Sequence, residues 1–328
     1  MSGEVSAWQV VEHGAPIDAL RLTEIELPRP GVGEVVLEVS AAALGLPDAL
    51  MCRGTYDFKP TLPFTPGQEM CGTVAAVGDD VSLSIGDKVL GVSAFFLGHG
   101  SFAARSLSNQ SMLYPVPAGM SDAHAAAFNI GYQTAWIGLV ERGQLRSGET
   151  LVVLGAAGGS GCAAVQLGKA LGATVIAIAA GPQRARFCQS LGAREVIDRA
   201  SCDVSEAVKE MTGGAGADVI YDPVGAEAFE GALNYLGNGG RLLAVGFAAG
   251  RWGQADTHAL VLRNASVMGV YAGAYTIDQR LQFHHALCRL WAQGSLNPVV
   301  REAPFLEVPQ LLEGIEQGTV SGKVVVHP

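Results

Sequence analysis

Between Thr150 and Phe247, short apolar runs alternate with helix-compatible stretches. No other feature of the chain restricts its fold as strongly. The runs "LVVL" (151–154), "TVIAIAA" (174–180), "EVI" (195–197), "DVIYD" (218–222) and "RLLAVGF" (241–247) read as short strands buried on both faces. "SVMGV" (266–270) adds a sixth. Between them, "CAAVQLGKAL", "QRARFCQSL", "SEAVKEMT" and "AFEGALNYL" suit helices. Strands separated by helices build a parallel sheet covered on both faces, so the expected class is α/β with a doubly wound sheet.

The first of these strands runs into Gly155-x-x-Gly158-x-x-Gly161, which opens the first helix. A glycine loop between strand and helix lets backbone N–H groups meet a pyrophosphate, aided by the helix dipole. Gly155, Gly158, Gly159, Ser160 and Gly161 are therefore the expected dinucleotide contacts. Cys162, Ala163 and Ala164 are small enough for the helix to pack closely on the strand. The second strand ends Ala179-Ala180-Gly181, where an NAD site usually carries Asp or Glu for the ribose hydroxyls. No carboxylate is therefore expected to repel a 2′-phosphate, and Arg184 follows at once, with Arg186 close by. Gly181 and Arg184 thus point to NADPH.

The flanking sequence has a different texture. "EVVLEVSAAAL" (34–44) and "GTVAAVGDDVSLSIGDKVLGV" (72–92) are strands punctuated by Gly-Asp turns. At "SDAHAAAFNIGYQTAWIGLVERG" a Ser-Asp cap signal opens Ala-rich helical spacing. The tail holds a helical "DQRLQFHHALCRLWAQG" and a closing strand, "GKVVVHP". The expected division is 1–121 for a β-rich lobe, 122–265 for the dinucleotide lobe, and 266–328 for a return to the first lobe.

Composition narrows the function classes. A chain of 328 residues is long enough for two lobes with separate cores. Net charge −10 opposes nucleic-acid binding, which needs a basic surface. Mean hydropathy is high, +0.28, yet no apolar run approaches the ~18 residues of a membrane span. The N-terminus lacks a basic segment followed by an apolar core. Six scattered cysteines without a CxxC pair suit a reducing compartment, so a cytoplasmic protein is expected.

Five segments together carry a family resemblance: "RGTYDFKPTLPFTPGQEMCGTV", "AAAFNIGYQTAW", "GAAGGSGCAAVQLGKALGATVIA", "VIYDPVG" and "GGRLLAVGFAAG". In this order they resemble the zinc-independent, zeta-crystallin-like quinone oxidoreductase branch of the medium-chain dehydrogenases/reductases. The resemblance covers nearly the whole chain. It implies a Rossmann sheet inserted into a GroES-like β-barrel lobe, NADPH as cofactor, and a homodimer through the Rossmann edge segment 265–271. It also implies roles for individual residues. Tyr56 falls where related enoyl-thioester reductases place a proton donor, Tyr132 at a pocket position, and Thr134 near the nicotinamide. Gly246 and Phe247 match a backbone segment bordering the nicotinamide. Lys323 matches a position near the cofactor, and Arg199 one where a family Tyr stacks on adenine. Zinc-dependent relatives carry Cys and His ligands at the positions of Gly45 and Gln68, so no metal is expected. Most zinc-independent members have Asn where this chain has Gly45, a position beside the nicotinamide ribose.

Hydride transfer to a simple ketone generates an alkoxide, which calls for a strong electrophile. A quinone yields a phenolate-like anion whose conjugate acid resembles Tyr, pKa about 10, which hydrogen bonds stabilise. The expected activity is NADPH-dependent reduction of quinones or related α,β-unsaturated carbonyls. An enoyl-thioester reductase using Tyr56 as proton donor and a non-catalytic NADPH sensor are the alternatives.

Overall fold

The computed structural model describes residues 4–328, leaving the first three residues of the expected N-terminal lobe outside it. Two compact units form, one from residues up to Ile130 together with Pro298–Pro328, the other from Gly131–Asn297.

In the first unit, β1 (Glu4–Val10) and β2 (Leu20–Glu26) pair antiparallel around the one-turn helix α1 (Pro16–Ala19). The apolar β3 (Glu34–Leu44) follows, then α2 (Leu46–Arg53), β4 (Glu69–Val77), β5 (Lys88–Val92), β6 (Arg105–Asn109) and β7 (Leu113–Pro115). β3 lies at the centre because it is the longest strand and is apolar on both faces. It pairs antiparallel with β4 and β6, and the β4 register sets Ala43 opposite Glu69. Phe64, Phe102, Leu37, Leu44 and Met70 fill the core beneath it. Ser121 caps α3 (Asp122–Ala126), its Oγ accepting from His124 N at 3.3 Å. The Ala-rich helical spacing that follows does not give one continuous helix. It breaks into α3, α4 (Asn129–Trp136) and a wide turn over Ile137–Arg142, where Gly143 N donates to Gly138 O at 2.7 Å.

Helix α4 carries the chain into the second unit. There β8 (Thr150–Val153), α5 (Gly159–Ala170), β9 (Thr174–Ala179), α6 (Pro182–Leu191), β10 (Glu195–Asp198), α7 (Val204–Met211), β11 (Ala217–Asp222), α8 (Ala226–Ala232), β12 (Leu236–Ala244), α9 (Thr257–Arg263) and β13 (Ser266–Gly269) alternate as the sequence predicts. The six strands are parallel in the order β10-β9-β8-β11-β12-β13, a Rossmann sheet whose direction of winding reverses between β8 and β11. Val152, Ile176, Ile178, Ile197, Ile220 and Leu242 form its core. Helix α10 (Ile277–Ala292) starts in a capping box of Thr276 and Gln279.

The chain then returns to the first unit as β14 (Val300–Pro304), α11 (Val308–Glu316) and β15 (Lys323–His327). β15 pairs antiparallel with β3, Val324 opposite Leu44, so this seven-stranded sheet joins the last strand of the chain to β3–β7, while β1 and β2 form a sheet of their own. The divisions fall after Ile130 and Asn297, whereas the sequence places them after 121 and 265. The cause of the later return is physical. β13 is the sixth strand of the parallel sheet, and Gln166 of α5 holds residue 297 through both its N–H (2.7 Å) and its carbonyl (2.8 Å).

Candidate cofactor and active site

Glycines at the end of β8 shape the dinucleotide cradle. Gly155 has φ +57°, a left-handed conformation suited to glycine. A Cβ on Gly161 would overlap the Gly155 carbonyl oxygen and stand 2.7 Å from Ala156 Cα, so α5 packs on β8 only with glycine there. Gly158 is the N-cap of the twelve-residue α5 and offers no side chain. The first-turn N–H groups at Gly159, Ser160 and Gly161 are therefore left for a ligand at the positive end of the helix dipole. Ser160 Oγ is 2.8 Å from Tyr221 Oη, which ties the loop to the adjoining strand β11. Burial pushes the Tyr221 phenol up, so it stays protonated. These residues fit a dinucleotide pyrophosphate.

At the same edge of the sheet, β9 gives way to Gly181 (φ +84°), the N-cap of α6. Arg184 in the first turn of α6 is half-buried, while Arg199, just past β10, is exposed and donates its N–H to Ala179 O at 2.9 Å. Beyond β12, Gly246 N donates to Asp222 O at 3.3 Å, and the Phe247 ring stands 4.8 Å from that of Trp252. Asp222 is buried at the end of β11 and receives the N–H groups of Val224 and Gly225. Burial raises its pKa against those bonds.

In the first unit, the β3 registers bring Gly45, Gln68, Glu69 and Lys323 to one end of the sheet. Gly45 caps α2 and donates its N–H to Asp48 Oδ2 at 2.9 Å. Asp48 Oδ1 receives Gly67 N (3.2 Å) and Gln68 N (3.1 Å), so one carboxylate joins the two loops carrying Gly45 and Gln68. Burial pushes Asp48 up to about 7 against these three bonds and nearby Lys323. Glu69 Oε1 receives Ile130 N at 2.7 Å, and its Oε2 pairs with Lys323 Nζ at 2.8 Å. The Gln68 amide contacts Met51 Sδ at 3.8 Å. Among the described residues, no three His, Cys, Asp or Glu side chains gather where they could hold a metal ion.

Tyr56 follows α2 and is half-buried, its ring 6.0 Å from Phe58; Phe58 in turn meets Phe95 edge-on at 5.8 Å. Thr134 is half-buried on α4. Tyr132 on the same helix is buried and donates its hydroxyl to Gln166 Oε1 at 3.0 Å, while burial holds the phenol in its protonated form. The hydroxyl thus ties α4 to α5.

Asp48, the Glu69–Lys323 pair and the Ser160–Tyr221 bond escape a reading of local sequence because each joins distant segments. The β3 register is the signal that links the first two. It becomes available only when β15 is recognised as the neighbour of β3.

A glycine cradle at the reversal point of a parallel sheet, in a chain that also folds a β unit from its two ends, defines a nucleotide-dependent oxidoreductase. Residues 31–118 match the alcohol dehydrogenase GroES-like domain, and residues 159–286 the family described as zinc-binding dehydrogenase. Human quinone oxidoreductase is 30% identical over 324 residues, covering 98% of this chain and 97% of the human one. Rat quinone oxidoreductase-like protein 2 is 36% identical over 277 residues, covering 83% of this chain and 78% of the rat one. A mycobacterial protein whose structure contains NADPH superposes with TM-score 0.90 at 27% identity, covering 99% of this chain and 100% of that one. The chain belongs to the quinone oxidoreductase branch of the medium-chain dehydrogenases/reductases. No helix among the described residues is long and apolar enough to cross a membrane.

Proposed function

We propose that this enzyme transfers hydride from NADPH to quinones or related α,β-unsaturated carbonyls, without a metal at the reacting centre. The observation that carries the reading is the pair Gly45 and Gln68. At two positions where zinc-dependent relatives hold ligands, this chain has a residue without a side chain and an amide resting on Met51. When bound, the reduced nicotinamide supplies the hydride. The chain's own residues do the remaining work.

Gly155, Gly158, Gly159, Ser160 and Gly161 receive the pyrophosphate on backbone N–H groups. The end of β9 has no acid of its own, and Arg184 follows within the first turn of α6, which supports a 2′-phosphate. The family resemblance assigns Thr134, Gly246 and Phe247 to the nicotinamide end, and Lys323 to a position near the cofactor. Lys323 is held in place by Glu69. The Tyr56 hydroxyl donates to the oxygen on which charge develops, a task suited to a phenol when the product is itself phenolate-like. In the open space over Gly45, a Cβ would meet only Pro47 Cδ at 3.4 Å and Asp48 Oδ2 at 3.6 Å. The amide that most zinc-independent members carry at this position is absent, which leaves room there for water or substrate. β13 is an edge strand of its sheet, and Tyr271 beside it is exposed, which supports a homodimer through 265–271.

The test follows NADPH oxidation with a set of quinones and a set of 2-enoyl thioesters. Turnover of quinones is expected, with kcat reduced about 100-fold in Tyr56→Phe. Turnover of thioesters alone would sink the quinone assignment. An unchanged kcat in Tyr56→Phe would remove that residue from proton donation.

A further inference from the structure

The end of β9 lacks a carboxylate, but its neighbour provides one. β10 runs parallel to β9 with Asp198 in register with Ala179, so the side chain at the end of β10 emerges at the same edge of the sheet. Asp198 Oδ1 receives Gly181 N at 2.8 Å and Ala200 N at 3.0 Å. Gly181 is the second residue beyond β9, at the strand end where acids of this fold meet the adenosine ribose. Both of these bonds fall on Oδ1. The two backbone N–H groups hold the carboxyl below its usual range, so the group is charged at neutral pH.

We propose that Asp198 is a cofactor-specificity residue, supplying from β10 the ribose-facing carboxylate that β9 lacks and opposing the 2′-phosphate of NADPH. The inference rests on the assignment of this edge to NADPH. Its chemistry is a balance of signs. Arg184, with Arg186 and Arg199 nearby in sequence, favours the phosphate, whereas Asp198 accepts from a ribose hydroxyl and repels the phosphate. NADH is then a second cofactor of the enzyme, bound more weakly than NADPH but within about tenfold of it.

The experiment measures Kd for NADPH and NADH from nicotinamide fluorescence in wild type, Asp198→Asn, Asp198→Ser and Arg184→Ala. Asn keeps an oxygen for the Gly181 and Ala200 amides, and Ser keeps a shorter one, so two independent folds can be read. Removing one charge near a phosphate in water raises the NADPH-over-NADH preference by about fivefold. A ratio that stays level or falls in the folded Asp198 variants overturns the proposal. Wild-type discrimination of a hundredfold or more against NADH also overturns it. Arg184→Ala separates the two readings, since it lowers the ratio where the arginine holds the phosphate. An unchanged ratio there, with the Asp198 shift present, counts against Arg184 and leaves Asp198 standing.

Discussion

Asp48 shows how a single side chain fixes the local design of the first unit. Its carboxyl binds three backbone N–H groups, yet burial dominates and pushes its pKa from 3.8 to about 7. A carboxyl whose folded pKa is raised contributes stability that is fully present below about pH 4 and is lost as pH rises through about 7. Denaturant unfolding of wild type and Asp48→Asn across pH 4 to 8 should therefore diverge. The wild type loses more stability with rising pH, with an upper bound on the order of 4 kcal/mol. Parallel profiles would mean that the carboxyl titrates normally. Lys323 lies on the other side of this balance, since its charge favours the ionised acid. In the sequence, "LPDAL" reads only as polar lining, because nothing local says that Asp48 will meet Gly67 and Gln68, 19 and 20 residues away.

At the scale of elements, the β8–α5 junction separates two kinds of glycine. Gly161→Ala drives a methyl into the Gly155 carbonyl and Ala156, so α5 must lift from β8. A cost of about 3 kcal/mol is expected, with a fall in Tm and loss of NADPH binding. Gly158→Ala is different, because its Cβ meets only Gly155 O at 3.4 Å and its φ is −80°. Replacing this N-cap should cost at most about 1 kcal/mol. Thermal melts of the two variants check the contrast, and equal losses would refute it. The sequence shows this junction clearly, since spacing and strand-helix alternation are local signals. It shows the end of β9 less fully. The missing acid at Ala179-Ala180-Gly181 is legible, but Asp198 is an unremarked residue closing "EVID" until β10 is set beside β9. Tyr132 marks a further limit, for its local motif does not reveal the hydrogen bond to Gln166, 34 residues away.

For the whole molecule, the proposed dimer places the exposed Ser266 and Gly269 of the edge strand against their own copies. Light scattering should give twice 33.9 kDa for wild type and a shift toward 33.9 kDa for Ser266→Lys combined with Gly269→Lys. A monomeric wild type would remove the edge-strand interface. The gross division into two units is legible in the sequence, but the second crossing point is not, because it depends on α5 holding residue 297. That hold has a wider consequence. One amide, Gln166, receives the Tyr132 hydroxyl from the start of the second unit and grips the backbone of Asn297 at its end. Entry and exit of the chain are thus fastened to the same helix that begins at the glycine loop. A folded segment whose ends are gathered at one place can be spliced into a host chain, or cut from it, without stretching either. Residues 131–297 have the form of a portable cassette, with its two ends already tied together from within.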